Sequence, residues 1–563
     1  MTDRYGSDLV VSLLEEAGVE YVAFNPGASF RGIHDTLVHR AGAPGIVLCL
    51  HEAVAVAVAQ GYAKAAGRPM AVLLHDVVGL QNGSMAVYNA WCDRAPVLLV
   101  GGTGPMSKVE RRPWIDWIHT ALVQGEQVRD YVKWDDQPVD LASVPESFAR
   151  GWTTAQSAPP GPVYLCLDAA LQEQELPAGL TRAPLAAYPV PSAPAPAPAE
   201  LAWLAGELAE ARLPVLLTDY AGATSAGFDA LRELARLLHA PVVDYGARFS
   251  FPTRDELAFA SLEDRLADAD LLVALDVEDL AGRLRGLPSA ARVVNVSPAH
   301  LRLRSWAHDY QQLAPVERHL SGSCEATLPA LLEACRAHRP NEARVAERRA
   351  LLAGVRGQAE ERWRDEAAAS EAVDSIPPAR LALELGRLLE GELWTLVNGS
   401  LGGWERRLWP FERFGQHLGW HGGGGLGYGL GASIGAALAL SREMLALNIQ
   451  PDGDLLFTPS ALWTAAHYRV PLLTVVHNNR QYQNTVEHAV RVAGDRGRGP
   501  ETRYEGSALR DPDVDFAGLA RSFGVWAAGP IARVDELGPA FAEARAVVAS
   551  GQPALLDVLT TGA

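Results

Sequence analysis

The chain has 563 residues, of which 48% are hydrophobic, so it can form several domains with large cores and is not globally disordered. Its 67 acidic and 49 basic residues give a formal net charge of −18, which argues against nucleic-acid binding because that function needs a basic surface. The scattered cysteines, the lack of a membrane-length apolar run and an N-terminus unlike a signal peptide lead us to expect a cytoplasmic protein with reduced thiols and no membrane association.

Short apolar strands alternate with helical stretches along the whole chain. The first segment contains YVAFN, IVLCL, AVLLH and VLLVGG, the second contains PVLLTD and ADLLVAL, and the third contains LWTLVN, MLALNIQ and PLLTVVH. Continuously apolar strands separated by helices are typical of parallel sheets that are covered on both faces. The pattern predicts an α/β fold with three doubly wound parallel-sheet domains.

Two stretches separate the three segments. Residues 181–200 alternate proline and alanine, which favours a stiff, extended linker, and residues 338–378 begin with a charged helix. In doubly wound sheets ligands bind at the carboxyl ends of the strands, so polar residues at those ends are the candidate site residues. The predicted domains are 1–180, 200–337 and 375–563.

Polar residues follow three strands of the first predicted domain. The loop NPGASF contains Ala28 and Ser29, Glu52 opens an alanine-rich helix, and His75-Asp76 follows the strand AVLL. Each has an ordinary explanation. A carboxylate in a first helical turn is favoured by the helix dipole, an isolated histidine is usually structural, and Asp76 could cap the next helix.

The third domain contains a glycine-rich stretch over residues 421–439. Glycine at this density lowers helix stability through backbone entropy. A flexible loop followed by close helix packing would explain the glycines, but it does not explain the bulky Leu426 among them.

Oxygen-bearing side chains follow two successive strands of the third domain. Asp452-Gly453-Asp454 follows the first strand, and Asn479 closes the next. An Asp-Gly turn or a helix cap explains Asp452 taken alone. Adjacent parallel strands bring these ends together, however, and hard cations prefer carboxylate, amide and carbonyl oxygens. The pair predicts a Mg²⁺–diphosphate site, where helix N-termini help to hold the anion.

These motifs resemble those of the thiamine-diphosphate-dependent 2-oxo-acid decarboxylase and carboligase family. The stretch SALWTAAHYRVP is especially similar to the benzoylformate decarboxylases, and acetolactate synthases share the pattern. The resemblance covers nearly the whole chain and implies pyrimidine-binding, central and diphosphate-binding domains. It implies Mg²⁺ ligation by Asp452, the Asn479 side chain and the Gln481 backbone carbonyl. The remaining implied contacts at this end of the cofactor are Gly453, Asp454 and Tyr482.

The resemblance also implies roles at the other end of the cofactor. Glu52 would contact a ring nitrogen of the aminopyrimidine and so activate the cofactor. Leu426 would hold the two rings in a bent shape, and the backbone carbonyl of Gly424 would accept from the exocyclic amino group. In the family the glutamate and the diphosphate site come from different subunits, which implies a homodimer or homotetramer.

For the substrate, the resemblance implies a small-molecule 2-oxo acid. His75 would transfer protons, and Ala28 stands where benzoylformate decarboxylases have a substrate-binding serine. Ser29 and Asp76 are further substrate-site candidates. The central-domain histidine of those enzymes has no clear match here, so the 2-oxo acid is not identified.

The implied function is decarboxylation of a 2-oxo acid that depends on thiamine diphosphate and Mg²⁺, with carboligation to a second carbonyl as a further outcome. Two alternatives stay open: an acetolactate-synthase-like condensing enzyme of specialised metabolism, and a non-catalytic cofactor-binding relative. The second rests on Pro451, which replaces a family glycine, and on Asp454, which replaces Ser or Ala. FAD binds the central domain of acetolactate synthases, but no sequence feature here indicates it.

Overall fold

The structure is a computed structural model that describes residues 3–262, 266, 268–285, 291–298, 312–371, 374–419 and 422–561. Within these residues the chain forms three successive sheets whose paired strands are all parallel. Both faces of a sheet are covered: Val22 and Phe24 belong to one buried apolar cluster, whereas the intervening Ala23 belongs to another. The predicted fold class is confirmed.

The first sheet has the strand order β2-β1-β3-β4-β6-β5. Its strands are β1 (Tyr21–Phe24), β2 (Gly45–Leu48), β3 (Met70–Leu74), β4 (Val97–Thr103), β5 (Asp135–Asp136) and β6 (Val163–Asp168). Its helices are α1 (Gly6–Glu16), α2 (Arg31–His39), α3 (Glu52–Ala66), α4 (Asp76–Cys92), α5 (Asp116–His119), α6 (Val144–Gln156) and α7 (Ala169–Glu173).

The central sheet has the order β12-β11-β10-β7-β8-β9. Its strands are β7 (Pro214–Thr218), β8 (Val242–Asp244), β9 (Ala258–Phe259), β10 (Leu271–Leu275), β11 (Arg292–Ser297) and β12 (Arg318–Ser321). Its helices are α8 (Pro198–Glu210), α9 (Ser225–Leu238), α10 (Leu280–Arg283) and α11 (Cys324–His338).

The charged stretch that follows differs from the single helix that its composition predicts. It forms two helices, α12 (Glu342–Leu352) and α13 (Val355–Ala369), because Gly354 adopts a left-handed φ of 73° between them. The guanidinium of Arg348 is buried and donates to the carbonyl oxygens of Leu238 and Leu208 at 2.6 and 3.0 Å. Helix α12 therefore packs on the central domain.

The third sheet has the order β13-β14-β15-β17-β16. Its strands are β13 (Trp394–Asn398), β14 (Leu445–Pro451), β15 (Leu472–Asn478), β16 (Trp526–Ile531) and β17 (Ala554–Leu559). Its helices are α14 (Pro378–Leu388), α15 (Trp404–Leu408), α16 (Tyr428–Ala439), α17 (Asp452–Phe457), α18 (Ala461–His467), α19 (Gln483–Asp495), α20 (Phe516–Ser522) and α21 (Val534–Ala549). The exact domain limits of 1–180, 200–337 and 375–563 stay a prediction.

No helix among the described residues is both long enough and apolar enough to cross a bilayer. The five cysteines all lie in the described residues and form no disulfide bond, and those at 49, 166, 324 and 335 are buried. Burial raises the pKa of the Cys49 and Cys166 thiols to about 12. These two thiols are therefore protonated and packed as small apolar groups.

Helices α3 and α16 join the first and third domains through an unusually close contact. A Cβ at Gly61 would overlap the carbonyl oxygen of Ala432, and a Cβ at Gly435 would overlap that of Val58. This packing explains the glycines of α16, as the sequence alternative suggested. Helix α3 begins at Glu52, and α16 begins at Tyr428 after the glycine-rich loop, so both helices start beside candidate site residues.

Replacement of Gly435 by alanine should destabilise this junction, because the added methyl group has no space and overpacking typically costs about 1–3 kcal/mol. The matched control is Gly538→Ala in α21, where an added Cβ meets no atom within 4 Å. That change should be neutral or slightly stabilising. Thermal denaturation of both variants measures the difference, and equal melting temperatures would contradict the close contact.

Candidate active site

Glu52 is the first residue of α3 and follows the short turn after β2, which ends at Leu48, so it lies at the carboxyl end of the first sheet. The Glu52 side chain is buried, and its two oxygens accept from the side-chain amides of Asn25 at 2.9 Å and Asn82 at 3.2 Å. His51 caps the helix by accepting from the backbone N–H of Ala53. The carboxylate is thus held in one orientation by two neutral donors.

His75 lies at the end of β3 and precedes α4. Its Nδ1 is 2.8 Å from the hydroxyl oxygen of Ser29, and a Cβ at Gly27 would overlap the imidazole, so this glycine leaves the space that the ring occupies. Burial is the main cause that lowers the pKa of His75, and Glu52 acts in the opposite direction through its charge. The carboxylate of Glu52 is therefore close enough to affect the protonation of His75.

Asp76 is buried in the first turn of α4 and has a positive φ of 47°, which is uncommon for a residue with a side chain. Its Oδ2 lies 3.5 Å from Nδ1 of His75 and 3.9 Å from Nδ1 of His119 in α5. Burial raises the pKa of the Asp76 carboxyl. His119, which no sequence motif indicates, completes this polar cluster.

The two substrate candidates of the NPG loop differ in exposure. Ala28 is exposed at the start of a short 3₁₀ turn, whereas Ser29 is 2% exposed. The Ser29 hydroxyl contacts His75, and its carbonyl oxygen accepts from the side chain of Gln172 at 2.8 Å. Ser29 therefore orients the imidazole, while contact of either residue with a substrate stays a prediction.

The glycine-rich loop is fixed to the first domain by Asn89 of α4. The Asn89 side-chain amide donates to the carbonyl oxygen of Gly425 at 3.0 Å and accepts from its N–H at 3.1 Å. Gly424, with a φ of 66°, occupies a backbone conformation that favours glycine. Leu426 is 40% exposed next to this pinned backbone. His421, at the start of the motif, lies outside the described residues.

Asp452 and Asn479 meet at one turn, as the strand order predicts. The register of β14 and β15 pairs Pro451 with His477, which places the residues after each strand side by side. The Asp452 carboxylate accepts from the backbone N–H groups of Gly453 at 2.7 Å and Arg480 at 2.6 Å. The side-chain oxygen of Asn479 accepts from the N–H of Gln481 at 3.1 Å.

This turn has the chemistry that a hard cation needs. Asp452 is 1% exposed, burial raises its pKa to about 6, and no cationic side chain among the described residues pairs with it. Its stabilising partners are neutral backbone donors, so a bound cation would supply the missing positive charge. The residues at this position therefore fit Mg²⁺.

Asp454 points away from this turn. One carboxylate oxygen accepts from the N–H of Gly427 at 2.6 Å, and the other accepts from the side chain of Gln450 at 2.7 Å. The carboxylate thus anchors the glycine-rich loop to β14. Both carboxylate oxygens of Asp454, which stands where the family has Ser or Ala, are therefore hydrogen-bonded to protein groups, and its contact with a diphosphate stays a prediction.

Tyr482 packs against the acidic turn from the other side. A Cβ at Gly453 would lie 2.5 Å from Cε1 of the Tyr482 ring, so only glycine allows this approach. Gln481 forms an isolated antiparallel bridge with Ala508, which fixes the backbone that carries the predicted third metal ligand. Ligation by the Gln481 carbonyl stays a prediction.

Part of the candidate site borders a cavity of the third domain. Asn479 and Gln481 line a cavity of about 700 Å³ whose described lining residues all lie between Asp374 and Thr561. The hydrogen bonds of Glu52, in contrast, are made to residues of the first domain. Glu52 is not among the described residues that line this cavity.

Comparisons with known proteins place the candidate site residues in two matched domains. Residues 4–127 match the N-terminal TPP-binding domain of thiamine pyrophosphate enzymes, and residues 398–558 match the C-terminal TPP-binding domain. The N-terminal TPP-binding domain contains Glu52 and His75, and the C-terminal TPP-binding domain contains Asp452 and Asn479.

The chain is 29% identical to benzoylformate decarboxylase of Pseudomonas aeruginosa over 533 residues, which covers 91% of each protein. It is 26% identical to probable acetolactate synthase 2 of rice, Oryza sativa, over 99% of this chain and 83% of that protein. A solved structure of a thiamine diphosphate-dependent 4-hydroxybenzoylformate decarboxylase from Rhodococcus jostii superposes with a TM-score of 0.79, at 22% identity and over 99% of both chains. The structural likeness concerns the fold.

Proposed function

We propose that this chain, which belongs to the family of thiamine pyrophosphate enzymes, decarboxylates a 2-oxo acid with thiamine diphosphate and Mg²⁺. Members of this family are lyases and transferases, and the chain is an enzyme of that type. The observation that carries the proposal is that Glu52 and His75 lie at the same end of the first sheet. Hydrogen bonds hold the Glu52 carboxylate and the His75 imidazole in place, and the charge of Glu52 acts on His75.

The residues that would hold the cofactor lie at both strand ends. Asp452, Asn479 and the Gln481 carbonyl would ligate Mg²⁺, and Glu52 would contact the pyrimidine ring. When bound, thiamine diphosphate supplies a nucleophilic carbon for the substrate carbonyl and a ring that accepts the electrons left by departing carbon dioxide. Leu426 and the carbonyl of Gly424 would set the cofactor's shape.

The chain's own proton chemistry falls to Glu52 and His75. Glu52 would share a proton with the pyrimidine, since its carboxylate is buried where such sharing is strong. The Ser29 hydroxyl engages Nδ1 of His75, so Nε2, which has no hydrogen-bond partner among the described residues, would give and take the proton of the reacting carbon or oxygen.

Our proposal includes an assembly of at least two subunits. In one chain the cavity at Asn479 has no described lining residue from the first domain, so a second copy would complete the site with its Glu52. Exposed apolar side chains beside the site support such a contact: Trp114 is 75%, Trp117 65% and Leu122 78% exposed. A two-fold dimer would place the first domain of one chain against the third domain of the other.

Carboligation is a second outcome of the same proposed chemistry. The similarity to an acetolactate synthase extends over 99% of this chain, and that enzyme class is named for joining carbon units. Protonation by His75 and attack on a second carbonyl would then compete for the same carbon. Whether a second carbonyl compound can reach the site would decide between protonation and carboligation.

The test is incubation of the purified protein with a panel of aromatic and aliphatic 2-oxo acids, with and without an added aldehyde. We expect carbon dioxide release that requires thiamine diphosphate and Mg²⁺, and mass spectrometry should identify an aldehyde or a hydroxyketone. Calorimetric titration with both cofactors serves as the control for loading. Full loading with no carbon dioxide from any member of a broad panel would contradict the decarboxylase proposal.

A further inference from the structure

Two imidazoles share one carboxylate at the end of the first sheet. The ring nitrogens of His75 and His119 and a carboxylate oxygen of Asp76 all lie within 4.8 Å of one another. The two rings also contact each other edge to face, with centroids 5.5 Å apart. The three residues come from the end of β3, the start of α4 and the end of α5, so they converge from separate elements.

The charge of this cluster is limited by its single carboxylate. Asp76 is 1% exposed, and its second oxygen, Oδ1, is buried and has no hydrogen-bond partner among the described residues. One buried carboxylate can neutralise one imidazolium ion, and a second positive charge at this distance is repelled. A positive charge on His119 therefore opposes the protonation of His75.

We propose that His119 is a positioning residue that acts on His75 through the shared carboxylate of Asp76, and so sets the pH range in which His75 can donate a proton. The inference rests on the proposed role of His75 in proton transfer. His119 is suited to this function because its Nδ1 lies 3.9 Å from the same Asp76 oxygen that lies 3.5 Å from Nδ1 of His75.

Other charged groups act on the same imidazole from the surrounding elements. Asp76 and Glu52 raise the pKa of His75, while His119 and Arg112 lower it, and burial also lowers it. Asp116 of α5 raises the pKa of Asp76. Removal of His119 should therefore raise the pKa of His75, whereas removal of Asp76 should lower it. A purely structural role of the two residues would not produce shifts of opposite sign.

The variants are His119→Gln and Asp76→Asn. His119 ends a four-residue helix whose buried Asp116 accepts from the backbone and side chain of Arg112, so the fold does not depend on the imidazole. The control is His39→Gln, because His39 is exposed at the end of α2 and pairs with Asp35 away from the cluster.

The measurement is an NMR titration of ring-labelled histidines in the full chain without added cofactor, in which His75→Gln identifies the His75 signal. In His119→Gln the pKa of His75 should rise by about half a unit or more, and in Asp76→Asn it should fall. His39→Gln should leave it unchanged. An unchanged His75 pKa in His119→Gln, or shifts of the same sign in both variants, would overturn the inference.

A second readout separates this inference from the proposed function. If the protein decarboxylates a 2-oxo acid, the alkaline limb of kcat/KM should move to higher pH in His119→Gln, since the acid form of His75 persists longer. If the protein does not decarboxylate any tested acid, the NMR shifts still decide whether His119 acts on His75. A shifted NMR pKa with an unmoved alkaline limb in an active enzyme would overturn the link to catalysis.

Discussion

The Glu52→Gln variant should lose about 100- to 10,000-fold of its kcat with a 2-oxo acid, the range that a positioned acid–base group contributes. Glutamine has the same shape but cannot share a proton with a ring nitrogen as a carboxylate does. Its carbonyl oxygen can still accept from Asn25 or Asn82, so only one of two hydrogen bonds is lost. Single-turnover kinetics with saturating cofactor measures the chemical step directly.

The matched control is Glu342→Gln, since Glu342 is also the first residue of a helix but is exposed. That variant should keep its turnover rate. Circular dichroism and thermal denaturation should show both variants folded. A Glu52→Gln enzyme with wild-type kcat would remove Glu52 from the mechanism.

The Asp452→Asn variant should bind thiamine diphosphate and Mg²⁺ at least about 100-fold more weakly, because even residues that only support metal ligands typically contribute 10- to 100-fold. Asparagine retains one oxygen but loses the negative charge that a divalent cation requires. In the cofactor-free protein two effects oppose each other: neutral asparagine avoids the cost of a buried charge, but it loses one acceptor for the N–H groups of Gly453 and Arg480. Calorimetric titration measures the affinity.

Asp535→Asn is the matched control, because Asp535 lies in the first turn of α21 and is exposed. It should bind the cofactor as the wild type does. Thermal denaturation adds an independent criterion: the cofactor should stabilise the wild type and the control but not Asp452→Asn. Equal stabilisation of all three proteins would place the metal site elsewhere.

The fold could be predicted from sequence because its signal is local. Each sheet consists of short apolar strands whose continuous hydrophobicity reports burial on both faces, as in β3 and β15. The convergence of Asp452 and Asn479 also follows from local pattern, since adjacent parallel strands leave their ends side by side. The break at Gly354 does not follow from the charge pattern, because it depends on the left-handed φ of 73° that this glycine adopts.

The parts of the site that depend on long-range contacts could not be predicted. His119 approaches Asp76 from α5, and no spacing or motif connects the two positions. Asn82 holds Glu52 from within α4, where an asparagine carries no functional signal. Asn25 belongs to the quoted NPG loop, and its place after β1 could have indicated a polar contact at the strand ends. The orientation of Asp454 toward Gly427 depends on the loop's path in three dimensions.

In the proposed assembly one cofactor site would be built from Glu52 of one subunit and Asp452 of another. Co-expression of the Glu52→Gln and Asp452→Asn chains with different affinity tags allows purification of the mixed dimer. In that dimer one of the two sites would contain neither substitution, so activity should return to about half of the wild-type value although each variant alone is inactive. A mixed dimer no more active than the two variants alone would show that each chain builds its site by itself and would contradict the account.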